Sequence, residues 1–230
     1  MLAFVLDRRN FREYDQIISV FTEQEGRLDL LAKGVKKITS KNSGNLFLGA
    51  LLEIDIAKGK EIDRLTKVHP VEIWKNIRKS LPKQLAVNKI LNVTNRLVRP
   101  DQDEHNIFVW LKKWLSFVNN AKIVNKTLLY CYLVVLVDIL GFSPELEECY
   151  NCSSKEGLNK FNIQGGLVCR KCLPEIVEVK NVYDILDNEI EIYKILLSGN
   201  LEEINKTKLS PKLIKIIKEF IQYHNEIKLI

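Results

Sequence analysis

The 230-residue chain has few of the features on which enzyme catalysis depends. Its three histidines, His69, His105 and His224, are scattered along the sequence with no nucleophile pattern beside them. The chain lacks the G-x-x-x-x-G-K-[ST] phosphate loop. It also lacks the complete zinc-deaminase signature, in which H-x-E is followed by P-C-x-x-C. We therefore expect a protein that is not an enzyme and that does not use ATP.

Long apolar runs are also missing. The longest one, residues 128–137, is too short to cross a bilayer, which takes about 20 apolar residues, and it predicts a buried helix instead. The first residues show no basic segment followed by an apolar stretch and a cleavage site, so we expect no export and no membrane partner. The expected location is the cytoplasm, where thiols stay reduced.

The chain does have a group of four cysteines, Cys149, Cys152, Cys169 and Cys172. Their spacing is C-x2-C, sixteen residues, C-x2-C, which is typical of a zinc site with four thiolate ligands. We predict one Zn2+ ion per chain, and a shell of four sulfurs leaves no open coordination position, so the ion should be structural. Four unrelated reduced cysteines and two disulfides are the alternatives. The fifth cysteine, Cys131, lies in an apolar run and is expected in the core.

Positive charge is concentrated in the first 140 residues of a chain that has 35 basic and 29 acidic residues. Two stretches have no acidic residue, residues 30–52 and 73–100. Their basic residues are Lys33, Lys36, Lys37 and Lys41 in the first stretch and Lys75, Arg78, Lys79, Lys83, Lys89, Arg96 and Arg99 in the second. Such runs favour a polyanionic partner, most commonly nucleic acid. A basic surface without a ligand is the alternative.

The first 70 residues have the pattern of a small all-β domain. Short apolar and β-branched segments begin near Ala3, Ile17, Arg27, Leu48 and Ile62, and turn residues separate them. Five such strands fit an OB-fold, the partly open barrel that binds oligonucleotides. An SH3-like barrel fits the same pattern.

After Pro70 the apolar period becomes 3.6, which indicates helices. Helical segments are expected at residues 87–98, 107–118, 127–140 and 183–198, and a last helix begins at Ser210-Pro211. The predicted fold class is therefore α+β. It consists of an N-terminal five-stranded OB-fold barrel (residues 1–70) and an all-helical domain (71–147 and 174–230) that carries a four-cysteine zinc insertion (148–173).

Four segments, taken in order, make the chain resemble the RecO family of bacterial recombination mediators. They are EYDQII at residues 13–18 with GRL at 26–28, AKGVKK at 32–37, LGFSPEL at 140–146, and FNIQGGLVCRKC at 161–172. The resemblance covers nearly the whole chain, and the order and spacing of the segments together are specific.

The resemblance implies a protein that binds single- and double-stranded DNA, anneals complementary strands and works on strands coated by single-stranded-DNA-binding protein (SSB). It implies RecR, the C-terminal tail of SSB and often RecF as partners, recombinase loading as the outcome, and a nucleoid-associated location. The chain departs from the family pattern at its end, where residues 228–230 stand in place of the serine-bearing tail of many relatives. Some relatives lack the zinc cysteines, which supports a structural role for the metal.

Within this resemblance we predict the DNA contacts from the basic residues. They are Arg8, Arg9, Arg12 and Arg27 on the sheet, Lys33, Lys36, Lys37 and Lys41 on the loop after the third strand, and Lys89, Arg96 and Arg99 on the helical module. The sequence shows no element for reading bases, so binding should be largely independent of DNA sequence. Phe11, Tyr14 and Phe47 are candidates for stacking on bases.

Two further interpretations concern partners and function. A pocket formed by Trp110, Trp114 and Phe117 beside Lys112 and Lys113 is a candidate site for the acidic SSB tail, and ordinary helical core is the alternative for these rings. The alternative function is a zinc-ribbon transcription or translation factor that contacts RNA or polymerase, and a metal-dependent hydrolase or deaminase is a third.

Overall fold

The computed structural model describes residues 1–98, 105–175 and 179–225. It divides the chain into two compact units, Met1–Val124 and Asn125–Ile230. In the first unit, five strands come before any helix: β1 (Leu2–Asn10), β2 (Gln16–Thr22), β3 (Gly26–Ala32), β4 (Leu51–Ala57) and β5 (Arg64–Glu72).

The five strands close into a barrel in the order β1-β2-β3-β5-β4, and pairing of β1 with β4 completes the ring. Neighbouring strands are antiparallel except for β3 and β5, which are parallel. This closed, OB-like barrel is the one that the strand pattern predicts, so the predicted fold class is confirmed.

The first strands are apolar on both faces because one face packs in the barrel core and the other packs against a helix. Val5, Val20 and Leu30 belong to the barrel core. Phe4 and Phe21, which are paired across β1 and β2, are also fully buried. Their ring centroids lie 4.8 and 6.0 Å from that of Phe108. A helix therefore covers the outside of these strands, which explains the loss of strict alternation.

That helix is one of three among the described residues of the first unit: α1 (Lys75–Arg78), α2 (Leu81–Leu97) and α3 (His105–Asn120). Pro82 lies in the first turn of α2, where its missing N–H costs no hydrogen bond. Trp74, just before α1, is buried, and its indole Nε1 donates to the carbonyl of Gly49 at 2.8 Å. This bond attaches the start of the helices to the β3–β4 loop.

The second unit contains α4 (Thr127–Ile139), β6 (Lys160–Asn162), β7 (Gly166–Val168), β8 (Val182–Asp184), α5 (Asp187–Ser198), α6 (Leu201–Ile204) and α7 (Pro211–Asn225). Its small sheet has the order β7-β6-β8. The ring of Phe161, on β6, lies 6.0 Å from that of Tyr193 on α5 and 6.0 Å from that of Phe220 on α7. These three rings join the sheet to two helices.

The predicted elements of this unit are confirmed with one correction. Tyr183, expected at the start of a helix, lies in β8 and pairs with Phe161, and α5 begins at Asp187. The backbone N–H of Leu186 donates to the Glu189 carboxylate at 3.1 Å, which fixes the start of α5 after the strand. The expected cap before α7 is confirmed, since the N–H of Leu213 donates to the Ser210 hydroxyl at 3.0 Å.

Helices α1 to α3 lie in the same compact unit as the barrel. The domain boundaries predicted near residues 70, 147 and 173 stay predictions, because one compact unit can hold more than one folding module.

Candidate functional site

The β3–β4 loop, residues 33–50, carries the first basic stretch and is fastened to the barrel at both ends. At its start, the N–H of Gly34 donates to the Asp15 carboxylate at 2.7 Å, and the N–H of Lys36 donates to the carbonyl of Tyr14 at 3.0 Å. At its end, Arg8 donates to the carbonyl of Leu46 at 2.6 Å. The loop thus has a defined place beside the β1–β2 connection.

The four lysines of this loop, Lys33, Lys36, Lys37 and Lys41, are all exposed. Within the described part of the chain, no carboxylate lies within ion-pair distance of any of them. The Lys37 ammonium lies 5.5 Å from the centroid of the Tyr14 ring. Four ammonium groups without carboxylate partners can neutralise phosphates without first breaking an ion pair. Their role as DNA contacts stays a prediction.

The four arginines predicted on the sheet differ from these lysines. Arg9 and Arg27 both form ion pairs with Asp29, at 3.1 and 3.2 Å. Arg27 also donates to the Asn95 side chain on α2 at 2.7 Å. Arg8 is half-buried, donates to the Gln16 side chain as well as to the Leu46 carbonyl, and has a pKa lowered by that burial.

The fourth arginine, Arg12, was also predicted on the sheet, and that placement is wrong, because β1 ends at Asn10 and Arg12 lies in the β1–β2 connection. It is exposed, with its guanidinium 5.0 Å from the centroid of the Phe11 ring. Asp29, the carboxylate that holds two arginines, was missed by the sequence reasoning. The available signal was the spacing of Arg27 and Asp29, which places both side chains on one face of β3.

The second basic stretch is divided between surface and interior. Lys89 and Arg96 are exposed, and they lie seven residues apart on α2, so they share a face. Lys83 is buried, and its ammonium donates to the carbonyl of Asn119 at the end of α3 at 2.9 Å. It therefore caps a helix. Arg99 lies outside the described residues.

The predicted pocket of aromatic rings on α3 contains two rings that are buried. Trp110 and Trp114 are 5 % and 0 % exposed, and they belong to the core of the first unit. The Lys113 ammonium lies 5.4 Å from the Trp110 ring. The described geometry thus favours the alternative, helical core, for the two tryptophans.

The four cysteines of the second unit come together in space. Their sulfur atoms all lie within 4.8 Å of one another, and none of the cysteines is in a disulfide. The sulfurs of Cys152 and Cys169 are 3.6 Å apart. A tetrahedron of sulfurs about 2.3 Å from a central zinc has edges of about 3.8 Å, so the spacing fits that ion and is far too long for a disulfide.

The backbone around the first cysteine of each C-x2-C pair favours a negatively charged sulfur. Burial opposes ionisation of Cys149, but N–H groups of Cys169, Asn151 and Cys152 outweigh it and lower the pKa of its thiol to about 6. The N–H groups of Cys172 and Lys171 act in the same way on the thiol of Cys169, whose pKa is also lowered. Each C-x2-C pair thus aims backbone donors at its first sulfur, and a metal ligand has to be deprotonated. The second thiols differ, because neighbouring cysteine side chains and burial raise the pKa of Cys152 and raise that of Cys172 to about 12.

Cys131, the fifth cysteine, is fully buried in α4, and its Sγ lies 3.6 Å from the carbonyl of Leu196. It takes no part in the cluster, as expected. No described helix is both long enough and apolar enough to span a membrane.

A closed five-stranded barrel with a lysine-rich loop, followed by helices and a four-cysteine cluster, defines an OB-fold protein with a cysteine-bearing helical region. Two family models match the chain, "Recombination protein O N terminal" over residues 1–74 and "Recombination protein O C terminal" over residues 78–229. The chain therefore belongs to the RecO family.

Curated relatives agree over the whole length. The chain is 26 % identical over 231 residues to the DNA repair protein RecO of Thermoanaerobacter sp. (strain X514), covering 98 % of this chain and 92 % of that protein. It is 27 % identical over 233 residues to the DNA repair protein RecO of Caldanaerobacter subterraneus subsp. tengcongensis, covering 97 % and 92 %. The relative of the same name from Alkaliphilus metalliredigens is 25 % identical, with 96 % and 92 % covered.

Proposed function

We propose that this protein is a non-enzymatic mediator of recombinational DNA repair. It binds DNA, anneals complementary single strands and helps to load recombinase onto SSB-coated DNA. The names of its relatives support the repair role. The observation that carries the DNA-binding part is the group of four exposed lysines, Lys33, Lys36, Lys37 and Lys41, on one loop of an OB-like barrel, without carboxylate partners among the described residues.

Annealing requires that two polyanions approach each other, and positive charge on a protein reduces their repulsion. The first unit has 22 basic and 14 acidic residues, a net charge of +8, whereas the second has 13 and 15, a net charge of −2. The positive charge that we propose to bind DNA thus belongs to the unit that contains the barrel. Lys89 and Arg96 on α2 and Arg12 beside the loop are further contacts that we propose.

The four cysteines are proposed to hold one zinc ion. Cys149, Cys152, Cys169 and Cys172 fit a tetrahedral thiolate site in the spacing of their sulfurs, and backbone donors point at the first sulfur of each pair. A bound zinc would supply cross-linking of two chain segments and no reactive coordination position. Its role is therefore to stabilise the fold of the second unit.

We further propose RecR and the C-terminal tail of SSB as protein partners, with RecF in some settings, and a location in the cytoplasm at the nucleoid. These partners rest on the family. The buried state of Trp110 and Trp114 means that a site for the SSB tail has to use other residues than these two rings.

The test is a double charge reversal, Lys33→Glu with Lys37→Glu, measured by strand annealing and DNA binding across a salt series without nucleotide. We expect annealing and single-strand affinity to fall by about tenfold or more near 0.1 M salt. The slope of log affinity against log salt should become shallower by about 1.4, since two phosphate contacts are lost.

The matched control is Lys206→Glu with Lys208→Glu, which makes the same change of charge at two exposed lysines of the second unit. It should leave annealing and affinity within about twofold of the wild type, because these two lysines belong to the unit with a net charge of −2, which is not proposed to bind DNA. Equal losses in both variants would contradict the assignment of the loop. A preference for RNA over single-stranded DNA would favour the transcription- or translation-factor alternative.

A further inference from the structure

The β1–β2 connection and the start of the β3–β4 loop form one projection. The N–H of Phe11 donates to the carbonyl of Asp15 at 3.2 Å, which closes the first connection. The buried Asp15 carboxylate accepts from Gly34 at 2.7 Å, and Tyr14 accepts from the N–H of Lys36 at 3.0 Å. A charged hydrogen bond shielded from water is strong, so the two loops hold a fixed arrangement. We call residues 11–15 and 33–37 the loop tip.

Two aromatic rings of the loop tip are left outside the core. Phe11 is 48 % exposed and Tyr14 is 46 % exposed. Each has a cation beside its ring, Arg12 at 5.0 Å and Lys37 at 5.5 Å from the ring centroids. The loop tip also includes one exposed carboxylate, Glu13, which raises the pKa of the Tyr14 hydroxyl.

Phe47, on the same loop as the lysines, does not share this exposure. It packs against the barrel core, and the Arg78 guanidinium lies 3.8 Å from its ring centroid. Of the three aromatic residues that the sequence offers for base stacking, two are therefore presented to solvent with cations beside them. Exposed rings among cations are the combination with which proteins hold unpaired bases while neutralising phosphates.

We propose that Phe11 and Tyr14 stack on unpaired bases and give the loop tip its preference for single-stranded over double-stranded DNA. The proposal rests on the DNA-binding function proposed above. The lysines neutralise phosphates of either form, so they cannot distinguish the two. In a duplex the faces of the bases are already stacked on one another, whereas in a single strand they are open to a protein ring.

The experiment compares three probes of equal length by fluorescence anisotropy: a single strand, the same backbone with abasic sites, and a duplex. The variants are Phe11→Leu and Tyr14→Leu, which keep an apolar side chain and all the lysines. Each should weaken single-strand binding about fivefold, and abasic and duplex binding should change by less than about twofold. The control is Tyr223→Leu, since Tyr223 is 47 % exposed in the second unit, and it should change none of the three affinities.

The wild type alone gives an independent result, because it should bind the normal single strand about tenfold more tightly than the abasic one. Equal affinity for these two probes would overturn the proposal whether or not the variants fold. An equal loss of affinity for single strand and duplex in the variants would also overturn the proposal, since the two rings would then only stabilise the conformation of the loops. Failure of the wild type to bind any probe would instead refute the DNA-binding function itself, and the proposal with it.

Discussion

The basic residues of the barrel differ in what surrounds each side chain. Asp29 accepts from Ser19 at 2.5 Å and forms ion pairs with both Arg9 and Arg27. A sequence shows the charge of these arginines, but pairing depends on the register of β1, β2 and β3, which places Ser19 opposite Asp29. The exposed lysines of the β3–β4 loop could be predicted from sequence, because no acidic residue is near them in the chain.

We predict that Asp29→Asn strengthens DNA binding. The change removes one negative charge and frees two guanidinium groups, while the amide can still accept from Ser19. Affinity for single-stranded DNA should rise about twofold or more at low salt, as expected for one unit charge roughly 10 Å from a phosphate. The free energy of unfolding should fall by about 1 kcal/mol, since these ion pairs are at least partly exposed.

The control for this prediction is Asp55→Asn, which removes a carboxylate of β4 that pairs with Lys67 at 3.3 Å. It makes the same change of charge away from the two arginines. If Asp55→Asn strengthened binding as much as Asp29→Asn, net charge would explain the result, and Arg9 and Arg27 would have no special role.

Helices and strands could be predicted from the sequence where their apolar residues form one regular face. They could not be predicted where a contact with a distant part of the chain determines the secondary structure. The barrel strands and the helices at residues 107–118 and 127–140 could be predicted, because their apolar spacing matches one secondary structure throughout. Tyr183 could not be placed, since its segment is apolar enough for a helix and only pairing with Phe161 makes it a strand. Lys83 looked like a surface cation because its hydrogen bond to Asn119 joins residues 36 positions apart.

Gly166 is the residue on which the β6–β7 hairpin depends, because no side chain fits there. It has a φ of +117°, and a Cβ atom would lie 2.3 Å from the carbonyl oxygen of Glu145 and 2.4 Å from its nitrogen. The backbone of Glu145 donates to Gly165 and accepts from Leu167, both at 2.8 Å. The hairpin that leads to Cys169 is thus held against the segment that leads to Cys149.

We predict that Gly166→Ala lowers the free energy of unfolding by about 3–5 kcal/mol in urea denaturation, from backbone strain and the displacement of Glu145 together. Gly141→Ala is the matched control. Gly141 also has a positive φ, +89°, but nothing lies within 4 Å of its added Cβ, so the loss should be about 1–2 kcal/mol. Equal losses would show that the contact with Glu145 contributes nothing.

At the scale of the whole molecule, the two compact units carry different chemistry. The net charge of +8 and the loop tip lie in the first unit, and the cysteine cluster lies in the second, whose net charge is −2. The cluster could be predicted almost completely from sequence, because thiolate spacing in two C-x2-C pairs fixes which sulfurs can meet. The loop tip could not, since it depends on the hydrogen bond between Asp15 and Gly34.

This division makes a prediction about metal removal. Purified protein should contain one zinc per chain, and Cys149→Ser should reduce that content well below one, since one of the four proposed sulfur ligands is lost. Hydrogen exchange should then speed up in β6 and β7, while the strands of the barrel keep their protection.

The control is Cys131→Ser, which makes the same substitution at a buried cysteine outside the cluster, and it should retain one zinc. If Cys149→Ser kept a full equivalent of zinc, or if both variants lost it equally, the four sulfurs would not be the ligands. Because the four exposed lysines of the β3–β4 loop belong to the first unit, single-strand affinity of the Cys149→Ser variant should stay within about twofold of the wild type, which a metal site that contacted DNA would not allow.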